Sequence, residues 1–360
     1  MVTQVVPWQS PVYSNYAHAP PRPLGAASAV YTRRLPTPRT PNLPKGSATA
    51  AIKPAPLVPG GLVRAISTAS PADRDALGRG IAELEQLGYQ VRTGSTMQPE
   101  GYFAGSTLRR KAELEGALQD PDASAVICAR GGYGTATLLD EIRLPGRLRP
   151  KLLVGYSDIT MLQAYLWTRF RWTSLHGPMV AAGFNNGAGA RSGYDLASFL
   201  NASAGKRDSW SLALDAEPLS RGEASGLLLG GCISLLETTL GTPWEFETRG
   251  AILFLEDRGV KPYQLDRMLL HLVHAGKFRG VRGIVLGDFP DSEPPQECSP
   301  SVRDVCRRIL MPLRVPIIFG APIGHTVRPM LTIPFGVRAR LRAAGEGRLD
   351  ILEPAVAMRR

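Results

Sequence analysis

A serine at the end of a short apolar run is a candidate nucleophile of this chain. Residues 151–160 read KLLVGYSDIT, which predicts a buried strand through Gly155 and a sharp turn into a helix at Ser157. Such a turn holds a hydroxyl exposed beside the first N–H groups of the helix, which have no intrahelical partner and can stabilise an oxyanion. The alternative is that Ser157 only caps the helix, since GYSDI lacks the second glycine of a G-x-S-x-G elbow.

A serine nucleophile needs a base, and the chain contains five histidines. His18 lies in a proline-rich stretch that nothing would hold in place, and His271 and His274 lie three residues apart on an apolar helix, which is typical of structural positions. His176 in LHGP and His325 in PIGHT both follow apolar runs at glycine turns, where a side chain can be presented in a cleft. Spacing alone does not choose between these two.

The acid that orients such a base is expected at the end of the apolar run AILFL, where Glu256 and Asp257 follow each other. A carboxylate at the end of a buried strand needs a partner. Glu256 is the first candidate and Asp257 its rival, while the alternative role is a capping or salt-bridged acid. Ser157, Glu256 and His325 would then form a triad, each at a predicted strand end.

Glycines also follow the predicted strand ASAVICA, in the turn Arg130-Gly131-Gly132-Tyr133-Gly134. The turn lacks the G-x-G-x-x-G spacing and the Lys-Ser/Thr pair of phosphate-binding loops. It is either a tight turn only, or a device that brings backbone N–H groups and the Arg130 side chain close to an anion or oxyanion.

Strands alternate with amphipathic helices from Leu62 onward, which predicts an α/β protein with a parallel, doubly wound sheet. The two turns described above would then meet at the carboxyl ends of its strands. Residues 1–50 are rich in proline and are expected to be a disordered tail. Residues 51–185 are expected to form a first domain, 186–221 a linker and 222–360 a second domain.

Composition limits the classes of function. Hydrophobic residues make up 44% of the chain and charged residues 20%, as in ordinary globular proteins. The net charge is +11, but the basic residues are scattered, so a nucleic-acid partner is not expected. No apolar run reaches the roughly 18 residues of a membrane span. The four cysteines show no metal-ligand spacing, and the N-terminus does not read as a signal peptide, so we expect reduced thiols and a cytoplasmic location.

Seven motifs in a fixed order carry a resemblance to a known family. They are EGYFAGSTLRR (100–110), ARGGYG (129–134), VGYSDIT (154–160), LHGPM (175–179), GLLLGGCISLLETTLGTP (226–243), LFLEDRGVKPYQLDRML (253–269) and GAPIGHT (320–326). Together they resemble the LD-carboxypeptidases, the muramoyltetrapeptide carboxypeptidases. The opening IKPAPLVPGG differs from the lysine-proline-glycine-aspartate entry common in that family.

The resemblance implies a serine peptidase with an N-terminal Rossmann-like domain and a smaller, β-rich C-terminal α/β domain. It implies a triad of Ser157 as nucleophile, His325 as base and Glu256 as orienting acid. The oxyanion hole would be formed by the N–H groups of Asp158 and Gly132, and substrate would bind at Arg130, Gly131 and Tyr133. The implied substrate is a murein tetrapeptide that loses its terminal D-alanine, in a homodimer without metal or cofactor.

Two other functions remain open at this stage. The same family includes hydrolases of acyl-sulfamoyl or peptidyl adenylates that give self-immunity to microcin C. An aromatic side chain placed to stack on adenine would favour that activity, and the sequence does not place Trp172, Trp210 or Trp244. A binding protein without catalysis, holding a small anionic ligand in the crevice, is the third reading.

Overall fold

A computed structural model describes residues 50–94, 99–145, 148–296 and 299–358, which belong to one compact unit. The predicted tail, residues 1–50, lies outside the described residues apart from Ala50. The described cysteines, Cys128, Cys232 and Cys306, are buried free thiols.

The first half of the chain forms a sheet in which helices alternate with strands. Its strands are β1 (Leu62–Ile66), β2 (Gln90–Thr93), β3 (Ala123–Cys128), β4 (Leu152–Gly155) and β5 (Ser174–His176). The helices between them are α1 (Arg74–Gln86), α2 (Thr107–Gln119), α3 (Ala136–Leu139) and α4 (Thr160–Phe170). The strands are parallel in the order β2-β1-β3-β4-β5. Because the order reverses between β1 and β3, a ligand crevice is expected outside the carboxyl ends of these strands.

The second half of the chain forms an eight-stranded mixed sheet. Its elements are α5 (Leu196–Ser203), β6 (Trp210–Ala213), β7 (Glu217–Ser220), β8 (Gly222–Cys232), α6 (Ile233–Thr238), β9 (Ala251–Glu256), α7 (Pro262–His274), β10 (Gly283–Gly287), α8 (Val302–Leu310), β11 (Ile317–Ala321), β13 (Val337–Ala343) and β14 (Arg348–Ile351). The order is β6-β14-β13-β8-β9-β10-β11-β7. Strands β8 to β11 are parallel and the others are antiparallel to their neighbours. The predicted α/β class, with a parallel sheet and a second β-rich part, is confirmed.

Strand β12 (Ile333–Phe335) leaves the second half of the chain and pairs antiparallel with β5 in the first sheet. Its Phe335 ring contacts Phe254 of β9 at 6.3 Å and Trp167 of α4 at 6.0 Å between ring centroids. The backbone N–H of Cys232 at the end of β8 donates to Oγ1 of Thr160, the first residue of α4, at 3.1 Å. These contacts fix the end of β9 close to the turn between β4 and α4.

Two elements differ from the predicted pattern. The segment predicted as a linker contains α5, β6 and β7. The glycines and serines of this segment obscure the sequence pattern of α5, which begins at the Asp195 cap. The helix between β3 and β4, expected from the alternation of strands and helices, is only the single turn α3. The division of the chain into domains at 186–221 stays a prediction.

Candidate active site

Ser157 lies on the turn that the sequence predicts. Strand β4 ends at Gly155, and Ser157 starts a 3₁₀ turn, Ser157–Ile159, that leads into α4. Its φ is +62°, a conformation that costs free energy in a residue with a side chain and that recurs at functional sites. The cap position of α4 is Ile159, without a side-chain hydrogen bond, so Ser157 is not held there as a helix cap.

The glycine turn after β3 lies directly against Ser157. A Cβ atom on Gly131 would lie 2.8 Å from Cβ of Ser157, 2.9 Å from its Oγ and 3.4 Å from the backbone nitrogen of Asp158. Only a glycine allows this approach. The turn and the start of the helix therefore face the same hydroxyl, as an oxyanion-binding arrangement requires.

Two side chains that the sequence did not single out hold the glycine turn in place. Oγ of Ser70 accepts a hydrogen bond from the N–H of Tyr133 at 3.1 Å, and the cap of α1 is provided by Asp73. The buried guanidinium of Arg110 donates to the carbonyls of Gly134 at 2.8 Å and Thr68 at 2.7 Å. In the sequence, Ser70 and Arg110 are marked only by their positions: Ser70 follows β1, and Arg110 lies inside the motif STLRR.

Asp158 connects the two turns through its side chain. Its Oδ2 accepts from the backbone N–H of Thr135 at 2.8 Å, and the residue is buried. Burial raises the pKa of this carboxyl, and the hydrogen bonds from Thr135 oppose the rise. The side chain of Asp158 thus fixes the end of the glycine turn relative to Ser157.

Glu256, the last residue of β9, and His325, in the loop after β11, form a close pair. Nδ1 of His325 lies 2.7 Å from Oε2 of Glu256, and the backbone N–H of His325 donates to the same oxygen at 2.9 Å. Gly324, with a φ of +58°, leaves no room for a side chain, because a Cβ atom there would overlap the carboxyl group of Glu256. The sequence PIGH therefore brings the imidazole to the acid.

Each member of this pair changes the ionisation of the other. Burial opposes ionisation of Glu256, but the charge of His325, the hydrogen bond from His325 and the nearby imidazole of His176 outweigh it, so the pKa of Glu256 lies well below its ordinary value. Burial also opposes the charge on His325, but Glu256 outweighs it and raises the pKa of His325 above 6.5. With Glu256 ionised, Nδ1 carries the proton of neutral His325 and Nε2 is the acceptor.

The two rival candidates have other positions. His176 is completely buried, and its Nε2 lies 3.3 Å from Oε1 of Glu256, behind the acid as seen from the cleft. Asp257 accepts hydrogen bonds from the backbone N–H groups of Ser234 at 3.0 Å and Arg258 at 2.8 Å. Asp257 therefore has the role of a capping acid, at the start of α6.

An open cleft collects the predicted site residues, including Arg130, Gly131, Gly132, Ser157 and His325. Arg130 is exposed there, and Nη1 of Arg130 donates to the carbonyl of Pro71 at 3.3 Å. Arg258, which the sequence did not single out, also lines the cleft. Tyr133 is half exposed and its ring contacts Phe103 and Tyr102, outside the set of residues that line this cleft.

Possible metal ligands also meet here. In the described part of the chain, Cys232, Glu256 and His325 offer ligand atoms within 4.8 Å of one another. Burial and the neighbouring Glu256 raise the pKa of the Cys232 thiol well above its ordinary value, and a metal would need the thiolate. The expectation of a site without metal or cofactor stays a prediction.

The site has the parts of a serine-type hydrolase on an α/β fold. They are a serine on a strained strand-to-helix turn, a histidine paired with a buried glutamate, and a glycine turn against the serine. Family comparisons agree with this class. Residues 63–177 match the LD-carboxypeptidase N-terminal domain, and residues 225–341 match the LD-carboxypeptidase C-terminal domain.

Individual relatives span most of the chain. A protein of Bacillus subtilis (strain 168) named "Probable murein peptide carboxypeptidase" is 35% identical over 306 residues, 83% of this chain and 94% of the relative. The crystal structure of muramoyltetrapeptide carboxypeptidase from Oxalobacter formigenes is 29% identical, with a TM-score of 0.72 over 81% of this chain and 99% of that one. The microcin C7 self immunity protein MccF, in complex with aspartyl sulfamoyl adenosine, has a TM-score of 0.77 over 85% of this chain and 100% of its own, and at 22% identity it shows the fold alone.

This chain belongs to the LD-carboxypeptidase family. The resemblance stated from seven motifs is confirmed, and so is the prediction of an enzyme, a carboxypeptidase of the serine type, at the level of the family. None of the helices in the described residues has the length and apolarity that a membrane crossing demands.

Proposed function

We propose that this protein is an LD-carboxypeptidase that removes the terminal D-alanine from murein tetrapeptide during peptidoglycan recycling. The observation that carries the proposal is the pairing of His325 with a buried, ionised Glu256 in the cleft that also contains Ser157. The names of the relatives from Bacillus subtilis and Oxalobacter formigenes support the substrate class.

In this mechanism Oγ of Ser157 attacks the carbonyl carbon of the bond to D-alanine while Nε2 of His325 takes the hydroxyl proton. The negative charge that develops on the carbonyl oxygen is stabilised by the N–H groups of Asp158 and Gly132. His325 then gives the proton to the departing amine, and D-alanine leaves. Water, deprotonated by His325, hydrolyses the acyl-enzyme and restores Ser157.

A carboxypeptidase must also recognise a free carboxylate. Arg130 and Arg258 place two guanidinium groups at the cleft, and a guanidinium can bind a carboxylate through two parallel hydrogen bonds. Arg258 bonds to Asp291 at 2.6 Å, but both side chains are exposed, so this pair can exchange for a substrate carboxylate at little cost. Gly131 and Tyr133 would contribute through the turn that carries Arg130.

The hydrolysis of acyl-sulfamoyl or peptidyl adenylates is the alternative within the family. The named tryptophans, Trp172, Trp210 and Trp244, are all buried and cannot stack on an adenine ring in the cleft. This observation favours the murein peptide over the adenylate. A binding role without catalysis would leave unexplained the strained backbone of Ser157 and the aligned His325–Glu256 pair.

The cytoplasmic location expected from the sequence and the homodimer implied by the family resemblance are part of the proposal. Fractionation of cells tests the location, and sedimentation of the purified protein tests the oligomeric state.

The direct test is the hydrolysis of murein tetrapeptide by the parent protein and by Ser157→Ala. We expect release of D-alanine by the parent and a loss of kcat by a factor of about 10³ or more in the variant. A variant within about tenfold of the parent would end the assignment of Ser157. Faster turnover of an aspartyl sulfamoyl adenosine substrate than of the tetrapeptide would favour the alternative.

A further inference from the structure

The carboxylate of Glu256 lies between two histidines, and only one of them reaches the cleft. Oε2 bonds to His325, whose side chain is 16% exposed. Oε1 faces Nε2 of His176 at 3.3 Å, and both of these side chains are completely buried. His176 therefore contacts no substrate, and any effect it has on the reaction must pass through Glu256.

The two facing atoms have no better partners. Within the described residues, neither Oε1 of Glu256 nor Nε2 of His176 makes a hydrogen bond of good geometry to any group. Their separation of 3.3 Å is within hydrogen-bond range, but the angle is poor. A buried polar atom without a partner is costly, so a small rotation of the imidazole that turns Nε2–H toward Oε1 is favoured.

His176 is itself held by α4 and the second sheet. The side-chain amide of Gln163 donates to the carbonyls of Leu175 at 2.9 Å and Gly155 at 3.2 Å, which fixes its orientation. Oε1 of Gln163 is then the atom that faces Nδ1 of His176, at 3.5 Å. An imidazole with a single N–H places it on Nε2, because the ionised carboxylate of Glu256 at 3.3 Å is a stronger acceptor than this more distant amide oxygen. The Phe254 ring packs against the imidazole at 5.1 Å between centroids. The ring can turn slightly but cannot leave its place.

We propose that His176 is a positioning residue for the hydrolysis, which holds Oε1 of Glu256 so that Oε2 stays aligned with His325. By donating to Oε1, His176 also takes up part of the negative charge that Glu256 presents to His325. The proposal rests on the assignment of Ser157, His325 and Glu256 made above.

Other titratable and charged groups face Glu256 and His325, and they stay unchanged when the His176 variants are compared below. They are Cys232 at the end of β8, Tyr156 after β4, and Asp257 and Arg258 after β9. Since they are common to all variants, a difference between variants reports the contact at Oε1.

Loss of the donor has two consequences with defined directions. The carboxylate is less well oriented, which lowers kcat and leaves KM unchanged because the substrate does not touch His176. The charge of Glu256 is also concentrated on Oε2, which stabilises protonated His325 further. The acidic limb of kcat/KM, which reports the free enzyme, therefore moves to higher pH.

The test compares two amides that replace different ring nitrogens. His176→Gln retains a donor near the position of Nε2, and His176→Asn retains one only near Nδ1, facing Gln163. We expect kcat of His176→Asn to fall about 10-fold to 100-fold, as on loss of a hydrogen-bond partner that orients a metal-binding side chain, and His176→Gln to recover most of the loss. Ser174→Ala, on the same face of β5 and also buried, is the control for loosened packing and should keep the parent kcat.

A second measurement does not depend on turnover. In a Ser157→Ala background, NMR titration of His325 should give a higher pKa with His176→Asn than with His176→Gln. Equal kcat in the two amide variants, or equal titration of His325 in both, would overturn the role of His176. If the parent protein does not hydrolyse the peptide, the hydrolase assignment fails, whereas the titration still reports the contact between His176 and Glu256.

Discussion

Replacement of Glu256 by glutamine tests the buried acid most quantitatively. During the reaction His325 becomes positively charged, and its Nδ1 lies 2.7 Å from the carboxylate of Glu256. Taking the centres of the two delocalised charges as about 4 Å apart, their attraction is about 4 kcal/mol at an effective dielectric constant of about 20. Glu256→Gln keeps the shape and removes this charge, so kcat should fall by a factor of about 10³, with KM little changed.

The assay is steady-state release of D-alanine from murein tetrapeptide. Asp257→Asn is the matched control, because it neutralises the adjacent carboxylate, which accepts hydrogen bonds from the backbone N–H groups of Ser234 and Arg258. Thermal unfolding of both variants checks that each retains the fold. A fall in kcat of less than about tenfold for Glu256→Gln, or an equal fall for Asp257→Asn, would refute the reasoning.

Three further results are expected. The acidic limb of the pH profile of kcat/KM should have its midpoint above 6.5, because Glu256 raises the pKa of His325 and only neutral His325 accepts a proton. In Glu256→Gln this midpoint should fall. An unmoved midpoint would exclude His325 as the titrating base. Gly131→Ala should lower kcat about 10²-fold, because the added Cβ would displace Ser157. The control is Gly78→Ala in α1, where a Cβ meets nothing within 4 Å. It should keep kcat and raise the free energy of unfolding, measured in urea, by up to about 1 kcal/mol. Arg258→Ala should raise KM for the tetrapeptide but not for its C-terminal amide, and an equal rise for both would argue against a bond to the terminal carboxylate.

The local parts of the site could be predicted from sequence because short motifs encode them. VGYSDIT places Ser157 on a turn that the structure shows to be strained, and LFLED places Glu256 at the end of a buried strand. The choice between His176 and His325 could not be made from spacing, since both follow apolar runs at glycines. The structure gives the reason: both imidazoles contact the same carboxylate, from opposite sides.

The parts of the fold that escaped prediction depend on distant contacts. Strand β12 joins the first sheet although it follows β11 in the chain, a pairing that no local pattern records. Strand β8 contains four glycines within Gly222–Cys232, and its place in the middle of the second sheet is fixed by neighbours on both sides. Arg110 and Ser70 were missed because their partners are backbone groups of a turn more than twenty residues away.

The central claim is that Ser157 is activated by His325. Its most direct test is reaction of the protein with a fluorophosphonate, followed by intact-mass measurement and peptide mapping. We expect one adduct per chain, located on Ser157, and strongly slowed labelling in His325→Ala. An adduct on another residue, no adduct, or labelling of His325→Ala at the parent rate would contradict the account.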